Sequence, residues 1–414
     1  MTPSTTPLHQ QTFSLDHGAF AHLLTTTENL LIIQDLDGVC MGLVKDPLTR
    51  TIDPNYLRAT QAFDGHFYVL TNGEHIGQRG VNGIVERAMG ASEGYLPGLA
   101  AGGVQWQTRA GNVSHPGVSD AELAFLKAVP ERIQERLQGF FEAQESGLGD
   151  GAIARAIEAS ALDNVASPTA NLNTLRSLLS DRPELYLALQ REMAALMKDL
   201  LQAAADQGLG ESFFMHFAPN LGRDDQGNEV VWYAEAGSLG TTDFQFMLRG
   251  AIKEAGVLAL LNRYYHQRTG EYPLGESFNA RSAPQSHGEL LTLAEKFDPE
   301  QMPLMVGVGD TVTSQVVDGK ARRGGSDRNF LQLIQDIGRQ LGTGNLVVYV
   351  DSSGGEVKRR PLTVDTVAGA LRVTAGPGDP RDPDDPLTLN LVFPGGHRQY
   401  IDVFCQAAQR RQGH

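Results

Sequence analysis

Five short apolar runs, each ended by turn-forming residues, constrain the fold of this chain more than any other feature. They cover residues 30–35, 67–71, 304–308, 346–350 and 389–393 and are rich in Val, Ile and Leu. Strands of this composition are typical of a parallel sheet, because helices cover both of its faces. The sequence therefore predicts an α/β fold with a Rossmann-like parallel sheet, whose strands all lie outside the middle of the chain.

The middle of the chain has a different pattern and predicts an inserted α+β domain. Between residues 183 and 205, apolar side chains recur at helical spacing on one stripe, namely Leu185, Leu189, Met193, Leu196 and Leu200. Segments 212–217 and 229–234 flank a turn-rich loop and predict a β-hairpin. We therefore expect a core domain of residues 1–78 and 244–414, with a cap domain of residues 79–243 inserted between its second and third strands.

Composition excludes several classes of partner. The 414 residues carry 49 Asp and Glu against 34 Lys and Arg, a formal net charge of −15, whereas nucleic-acid binding needs a basic surface. No apolar run approaches the roughly 18 residues of a membrane span, and the polar N-terminus lacks the apolar region of a signal peptide. Two cysteines cannot form a disulfide framework. We expect a cytoplasmic protein that binds neither nucleic acid nor membrane.

Two carboxylates follow the first predicted strand, in the sequence Asp35-Leu36-Asp37-Gly38. Ligands of open α/β sheets bind at the carboxyl ends of strands, so these side chains lie where chemistry is expected. Two close carboxylates repel, and such a pair indicates a bound cation, or a division into an ionised nucleophile and a protonated acid. Taken alone, the pair is equally compatible with a solvated Asp-Gly turn.

Three further features follow the same logic. Thr71, Asn72 and Gly73 come after the second strand, and Asp310 comes after the third. Between them, Lys253 opens an apolar helical stretch and would bring a positive charge near the carboxylates. Each residue alone has an ordinary structural explanation. Together and in this order, they predict a site at the carboxyl edge of the sheet.

This order of motifs resembles the haloacid dehalogenase superfamily of phosphohydrolases. Asp35 and Asp37 match its first motif, Thr71 its second, Lys253 its third and Asp310 its fourth. The short segment from Asp35 to Thr71 leaves no room for a large insertion, whereas the long segment from Thr71 to Lys253 does. The resemblance therefore implies a C2-type cap, as in sugar-phosphate phosphatases similar to those of trehalose and sucrose phosphate.

The resemblance also implies a mechanism that uses Mg²⁺. Asp35 would form an aspartyl-phosphate, while Asp37 would protonate the leaving oxygen and then deprotonate the hydrolytic water. Mg²⁺ would be held by Asp35, Asp310 and the backbone carbonyl of Asp37. Thr71 and Lys253 would bind the phosphoryl oxygens, where negative charge is greatest in the transition state.

The fourth motif departs from the pattern of the superfamily. A second acid usually follows four residues after the first, but this position is Ser314. Ser314 could hydrogen-bond a metal-bound water, or Asp327 could fold in to supply the missing carboxylate. We include Ser314 with Asp35, Asp37 and Asp310 in the expected metal site.

Nearly the whole chain, including the cap, resembles the glucosylglycerol 3-phosphate phosphatases. The similar segments include LPGLAAGGVQWQ from Leu96, LDNVASPTANLNTL from Leu162, GTTDFQFMLRG from Gly240, GVGDTVTSQV from Gly307 and VFPGGH from Val392. This implies hydrolysis of 2-O-(glucosyl)glycerol 3-phosphate in compatible-solute synthesis under salt stress, with the upstream glucosylglycerol-phosphate synthase as a candidate partner. A sucrose- or trehalose-phosphate phosphatase, and a catalytically weak regulator that binds sugar phosphates, stay open as alternatives.

A sugar phosphate also needs hydrogen-bonding groups around its sugar. Buried polar groups distinguish hydroxyl patterns better than apolar ones, so polar and aromatic residues of the cap and of the loop after Thr71 are candidates. Thr71 and Lys253 would bind the phosphate. The candidates for the rest of the substrate are Asn72, Gly73, Glu74, His75, Trp106, His115, Asn171, Asn220, Arg223 and Asp243.

Overall fold

A computed structural model describes residues 6–90, 93–224, 228–235, 239–317, 319–357 and 359–413. Its strands are β1 (Leu30–Gln34), β2 (Phe67–Leu70), β3 (Gly98–Ala100), β4 (Gln105–Gln107), β5 (Val113–Ser114), β6 (Ala161–Leu162), β7 (Thr169–Asn171), β8 (Phe213–Ala218), β9 (Asn220–Arg223), β10 (Glu229–Val231), β11 (Asp243–Leu248), β12 (Leu304–Gly309), β13 (Thr313–Val317), β14 (Lys320–Gly324), β15 (Leu346–Val350), β16 (Thr363–Val367), β17 (Ala370–Ala375) and β18 (Leu391–Phe393). Its α-helices are α1 (His17–Thr26), α2 (Pro54–Gln61), α3 (Val81–Met89), α4 (Asp120–Lys127), α5 (Val129–Ala143), α6 (Asp150–Ser160), α7 (Asn173–Leu178), α8 (Pro183–Asp206), α9 (Lys253–Thr269), α10 (His287–Ala294), α11 (Arg328–Leu341) and α12 (Gly396–Gln412).

The core is built on one sheet with strand order β18-β15-β12-β1-β2-β3-β4-β5. The strands from β18 to β3 are parallel, and β4 and β5 continue the sheet in antiparallel fashion. All five residues of β1 are buried, because α1, α2 and α12 cover one face of the sheet and α9, α10 and α11 cover the other. The predicted α/β fold is confirmed, and the five apolar runs correspond to β1, β2, β12, β15 and β18.

The inserted unit is an α+β cap with its own antiparallel sheet, in the order β6-β7-β11-β8. Phenylalanines of β8 and β11 pack in one cluster with α5 and α8. The predicted apolar stripe of α8 is buried in this cluster. The predicted hairpin between segments 212–217 and 229–234 is wrong: β8 pairs with β11 over six residues, and β10 pairs with β9 instead. Pro219 follows β8 directly and has no amide to donate to a sheet.

The two sheets divide the chain at other positions than the predicted domain boundaries. Strands β3 to β5, within the expected cap range 79–243, hydrogen-bond to the core sheet. Strand β11 begins at the second boundary but belongs to the cap sheet. The apolar-run criterion missed β3 to β5 because each has only two or three residues, too few to form a recognisable pattern.

Two features bear on the expected setting of the protein. Among the helices of the described ranges, none combines the length and apolar character needed to cross a bilayer. Cys40 and Cys405 are both unpaired, and Cys40 is buried with its thiol directed to the carbonyl of Leu36. Cys40 therefore behaves as a small core side chain.

Candidate active site

The polar residues that follow β1 and β12 converge at the carboxyl edge of the core sheet. The amide of Asp35 donates to the carbonyl of Val308 at 2.9 Å, so the two strands end side by side. Gly38 turns the chain with φ +80°, and a Cβ atom built on it would lie 2.1 Å from Oδ2 of Asp310. Only glycine permits this approach. The structure thus brings Asp35 and Asp310 together, as the sequence predicts.

Asp327 completes a cluster of three buried carboxylates with Asp35 and Asp310, in which one oxygen of each lies within 4.8 Å of the others. Asp327 immediately precedes α11, and its Oδ2 accepts the amides of Asp310 at 2.9 Å and of Thr311 at 3.0 Å. By contrast, Oδ2 of Asp310 is buried and has no hydrogen-bond partner among the described residues. An unpaired buried carboxylate oxygen is costly unless a cation or donor satisfies it.

Lys253 is the first residue of α9 and faces this cluster. Its Nζ lies 2.7 Å from Oδ1 of Asp327 and 3.1 Å from Oδ1 of Asp35, and its side chain is buried. Burial alone would lower the pKa of Lys253, but Asp327 and Asp35 outweigh this effect and raise the pKa above its usual value. The lysine is therefore charged.

The cluster has more negative charge than Lys253 can balance. Burial raises the pKa of Asp35 to about 7, with Lys253 opposing the shift and Asp327 adding to it. Burial, then Asp327 and Asp35, raise the pKa of Asp310, whereas Lys253 overcomes the effect of burial and lowers the pKa of Asp327. A divalent cation held by Asp35 and by the unpaired Oδ2 of Asp310 would restore the balance. Hard carboxylate ligands suit Mg²⁺, so the residues present fit this ion.

Asp37 lies beside the cluster but is more accessible, with a third of its side chain exposed. Its Oδ2 accepts a hydrogen bond from Nη1 of Arg50 at 3.0 Å. Arg50 itself is buried and comes from the loop after β1. Sequence reasoning missed this residue, since a single arginine in a loop carries no periodic or spacing signal.

Thr71 lies at the same edge, directly after β2. It is buried, its amide donates to the carbonyl of Leu99 at 3.0 Å, and its hydroxyl accepts the amide of Gly73 at 3.2 Å. Asn72 and Gly73 are partly exposed beside it. The turn offers a hydroxyl and an amide side chain at the carboxyl edge of the sheet, and its role in phosphate binding stays a prediction.

Glu74 and His75 have structural contacts that the sequence did not predict. Glu74 accepts the amides of residues 165–167 at 2.7–2.8 Å and further bonds from the side chains of Ser167 and Gln105. The ring of His75 contacts the carbonyl of Gly98 and the amide of Gln107, and burial lowers the pKa of His75 to about 4. We therefore withdraw both as sugar-binding candidates, because their polar atoms are used within the protein.

Among the cap candidates, Asp243 and Asn171 form a pair on neighbouring strands. Nδ2 of Asn171 donates to Oδ1 of Asp243 at 2.6 Å. Asn220 instead holds the β9–β10 hairpin, since its amide donates to Phe217 and Glu229. The side chain of Arg223 lies outside the described part of the chain, so its predicted role stays a prediction.

Trp106 and His115 belong to the core sheet or its edge rather than to the cap. Trp106 lies on β4, and the guanidinium of Arg263 stacks over its ring at 4.4 Å. His115 follows β5 and its ring contacts the side-chain amide of Gln105 at 3.0 Å. These contacts give both side chains structural roles.

Ser314 is not part of the acidic cluster. It lies on β13, and its hydroxyl accepts the amide of Asp379 at 2.9 Å. The hairpin of β13 and β14 is inserted between Asp310 and α11 and returns the chain to Asp327. Of the two alternatives for the second acid, the structure supports Asp327 and does not support the assignment of Ser314 to the metal site.

Comparison with known proteins finds similarity over nearly the whole chain. The family model described as glucosylglycerol-phosphate phosphatase matches residues 29–408. A glucosylglycerol-phosphate phosphatase from Synechocystis sp. is 64% identical over 417 residues, which cover 98% of this chain and 99% of the relative.

The chain belongs to the glucosylglycerol-phosphate phosphatase family. Among solved structures, the C-terminal domain of a Candida albicans trehalose-6-phosphate phosphatase matches with a TM-score of 0.48 and 10% identity, over 96% of this chain and 99% of that one. A trehalose-6-phosphate phosphatase of Aspergillus fumigatus matches with a TM-score of 0.41 and 12% identity, over 97% and 99% of the two chains.

Proposed function

We propose that this protein is a Mg²⁺-dependent phosphatase that hydrolyses 2-O-(glucosyl)glycerol 3-phosphate to glucosylglycerol and phosphate. The observation that carries the proposal is the cluster of Asp35, Asp310 and Asp327 around Lys253, next to the accessible carboxyl of Asp37. Such a cluster can hold a cation and a phosphoryl group together. The near-full-length relative supplies the choice of substrate.

In the first step, a carboxylate oxygen of Asp35 attacks phosphorus. The bond between phosphorus and the glycerol oxygen breaks with its electron pair on that oxygen, and the carboxyl proton of Asp37 passes to it. Glucosylglycerol leaves, and an aspartyl-phosphate remains on Asp35. The charged Lys253 and the hydroxyl of Thr71 stabilise the equatorial phosphoryl oxygens, where charge accumulates.

In the second step, water attacks the aspartyl-phosphate. Asp37, now a carboxylate, accepts a proton from the water as the new bond to phosphorus forms, and the bond to the oxygen of Asp35 breaks. Phosphate leaves and both carboxyl groups return to their starting states. Bound to Asp35 and Asp310, with the Asp37 carbonyl and Asp327 beside them, Mg²⁺ would screen the repulsion between the carboxylates and the anionic phosphoryl group.

The polar face of the cap sheet supports a sugar site. Asp243 and Gln245 alternate with phenylalanines on β11, and the register sets Asn171 beside Asp243 and His216 beside Gln245 on one face. Oε1 of Gln245 is buried and has no hydrogen-bond partner among the described residues, so it can accept from a sugar hydroxyl.

The charge of Arg359, in the core loop after β15, acts on one carboxylate of this face and on one of the acidic cluster. Burial raises the pKa of Asp243, whereas hydrogen bonds from Thr242 and Asn171 and the charge of Arg359 oppose the shift. Arg359 also opposes the rise that burial causes in the pKa of Asp310. The polar cap face and the acidic cluster thus share the field of one cation, and we propose that the sugar lies at the cap face while the phosphate lies at the cluster.

The decisive experiment measures phosphate release from glucosylglycerol 3-phosphate, sucrose 6-phosphate and trehalose 6-phosphate, with Mg²⁺ and with EDTA. We expect release from the first substrate only, and its loss with EDTA. A preference for either disaccharide phosphate would contradict the proposed substrate. No release from any of the three would favour a regulator that binds sugar phosphates.

Two further parts of the proposal concern the setting of the enzyme. We place it in the cytoplasm, since its two unpaired cysteines suit a reducing compartment. We also propose the synthase that makes glucosylglycerol phosphate as a partner in compatible-solute synthesis. Co-purification of the two enzymes from salt-grown cells tests the partnership, and free migration of the phosphatase in gel filtration of the mixture would contradict it.

A further inference from the structure

We infer that Arg50 is a positioning residue for Asp37 and that it ties the orientation of this acid to the cap. The inference rests on the proposed function, since it takes Asp37 as the group that protonates the leaving oxygen. It assigns a role to a buried cation that neither the superfamily motifs nor the acidic cluster explains.

Arg50 is fixed by three separate contacts. Its Nη1 donates to Oδ2 of Asp37 at 3.0 Å, its Nε donates to the carbonyl of Pro47 at 3.0 Å, and its Nη2 donates to the carbonyl of Arg79. The residue is only 8% exposed. A planar guanidinium held at three corners has little freedom, so the carboxyl that it contacts is confined as well.

The contact with Arg79 leads to the cap. The side chain of Arg79 is buried and donates to the carbonyl of Glu158, in the last turn of α6, at 2.6 Å and to that of Ala161, the first residue of β6, at 3.3 Å. It also lies 3.4 Å from Oδ1 of Asp163. A continuous path of hydrogen bonds therefore runs from Asp37 through Arg50 and Arg79 to the cap. We call it the Asp37–Arg79 path.

The need for such a support follows from the exposure of Asp37. Asp35 is packed among Lys253 and the other acids, whereas a third of the Asp37 side chain faces solvent. An acid must keep its proton on the line to the leaving oxygen, and a displacement of about 1 Å can cost roughly 100-fold in rate. Among the contacts of the described side chains, the bond from Arg50 is the one that restrains the Asp37 carboxyl.

The test uses two leaving groups. Glucosylglycerol 3-phosphate releases an alkoxide, which needs a proton, whereas p-nitrophenyl phosphate releases a stabilised phenolate, which does not. We compare kcat/KM, which covers events up to the formation of the aspartyl-phosphate, for the wild type, Arg50→Ala, Arg50→Lys and Asp37→Asn with Mg²⁺. Arg58→Ala, in the exposed part of α2, is the matched control.

We expect Arg50→Ala to lose about 100-fold with the alkyl phosphate and less than about threefold with the aryl phosphate, following the pattern of Asp37→Asn. Arg50→Lys keeps a cation for Asp37 and should recover part of the loss, while Arg58→Ala should match the wild type. Retained turnover of the aryl phosphate shows that the variants fold. If Arg50→Ala does not fold, the same comparison is made with Arg50→Lys.

Two outcomes would overturn the inference alone. An equal loss with both substrates would mean that Arg50 contacts the phosphoryl group itself, and no loss with either would mean that the bond to Asp37 has no catalytic role. A different result would overturn the proposed function as well: if Asp37→Asn loses activity equally with both leaving groups, Asp37 is not the acid and has no orientation for Arg50 to control.

Discussion

At the scale of single residues, the acidic site differs from the superfamily pattern at one position of the fourth motif. Where the superfamily pattern has an acid four residues after Asp310, this chain has Ser314, and Asp327 supplies the carboxylate from the start of α11. Its two oxygens are divided, one on Lys253 and the other on the amides of Asp310 and Thr311. Asp327 therefore holds in place both the ammonium group of Lys253 and the loop that carries Asp310.

This division predicts different outcomes for Asp327→Asn and Ser314→Ala. An amide cannot accept two backbone N–H bonds and also pair with a buried ammonium, so Asp327→Asn should lower kcat by about 100-fold or more and raise the Mg²⁺ concentration needed for half-activation. Ser314→Ala should stay within about threefold of the wild type, since it loses one bond to the amide of Asp379. Titration of activity with Mg²⁺ checks both, and the reverse order of effects would restore Ser314 to the site.

A second prediction at this scale concerns His75 and pH. Burial lowers the pKa of His75 in the folded state from 6.5 to about 4, so between these values the unfolded chain binds a proton that the folded chain does not. The stabilisation is complete above pH ~6.5 and is lost as the pH falls towards ~4, at about 1.4 kcal/mol for each unit of pKa difference.

The measurement is urea unfolding at pH 7 and pH 5. Wild type should lose about 2 kcal/mol of unfolding free energy from this group, and His75→Gln should show that much less pH dependence. The exposed His22→Gln should keep the wild-type dependence. Equal pH dependence in all three proteins would show that His75 titrates normally.

At the scale of elements, the joint between core and cap is built around one carboxylate. Glu74 follows the Thr71–Gly73 turn after β2, and the cap loop at residues 165–167 directs three amides at its two oxygens. Burial raises the pKa of Glu74, and these converging N–H groups oppose the rise because they favour a negative charge. The loop continues into β7, which carries Asn171. The position of the cap sheet is therefore linked to the turn that holds Thr71.

We expect Glu74→Gln to loosen this joint. The NH₂ group of a glutamine at position 74 would face backbone N–H groups, so donor would meet donor. The loss of these charge-assisted hydrogen bonds should lower the free energy of unfolding by roughly 2–3 kcal/mol. Hydrogen exchange of the amides at residues 165–167 should accelerate at least about tenfold. Glu145→Gln, at an exposed position of the cap, is the control. Unchanged exchange in Glu74→Gln would mean that the loop is held by its neighbours.

Features that are determined by residues close together in the sequence could be predicted, whereas features that depend on distant residues could not. The five buried strands could be predicted because each is a continuous apolar run. Asp35 and Asp310 could be predicted because each directly follows such a strand, and Lys253 because it begins an apolar helix. The roles of Glu74 and Arg50 were not, since both depend on residues that are distant in sequence, at 165–167 and at Arg79. The pairing of β8 with β11 was missed for the same reason: short-range patterns favour a hairpin.

At the scale of the whole molecule, the net charge of −15 includes a buried excess that the fold alone does not balance. Lys253 pairs with Asp35 and Asp327 but not with Asp310 among the described contacts, and burial raises the pKa of Asp35 and of Asp310. Folding therefore works against repulsion in the cluster, which a bound cation would relieve. A ligand that binds only the folded state stabilises it by about 2.7 kcal/mol at 100 times its Kd.

We therefore predict that Mg²⁺ raises the Tm of the wild type by several degrees, since about 1 kcal/mol shifts the Tm of a domain of this size by roughly 2–4 °C. NaCl at matched ionic strength acts on the surface charges only and should shift it less. Asp310→Asn removes a ligand and also one of the repelling carboxylates. Without Mg²⁺ this variant should be at least as stable as the wild type, yet its Tm should not respond to Mg²⁺. A lower Tm for Asp310→Asn without Mg²⁺, or an equal Mg²⁺ response in both proteins, would mean that the cluster is a structural hydrogen-bond network and the ion binds elsewhere.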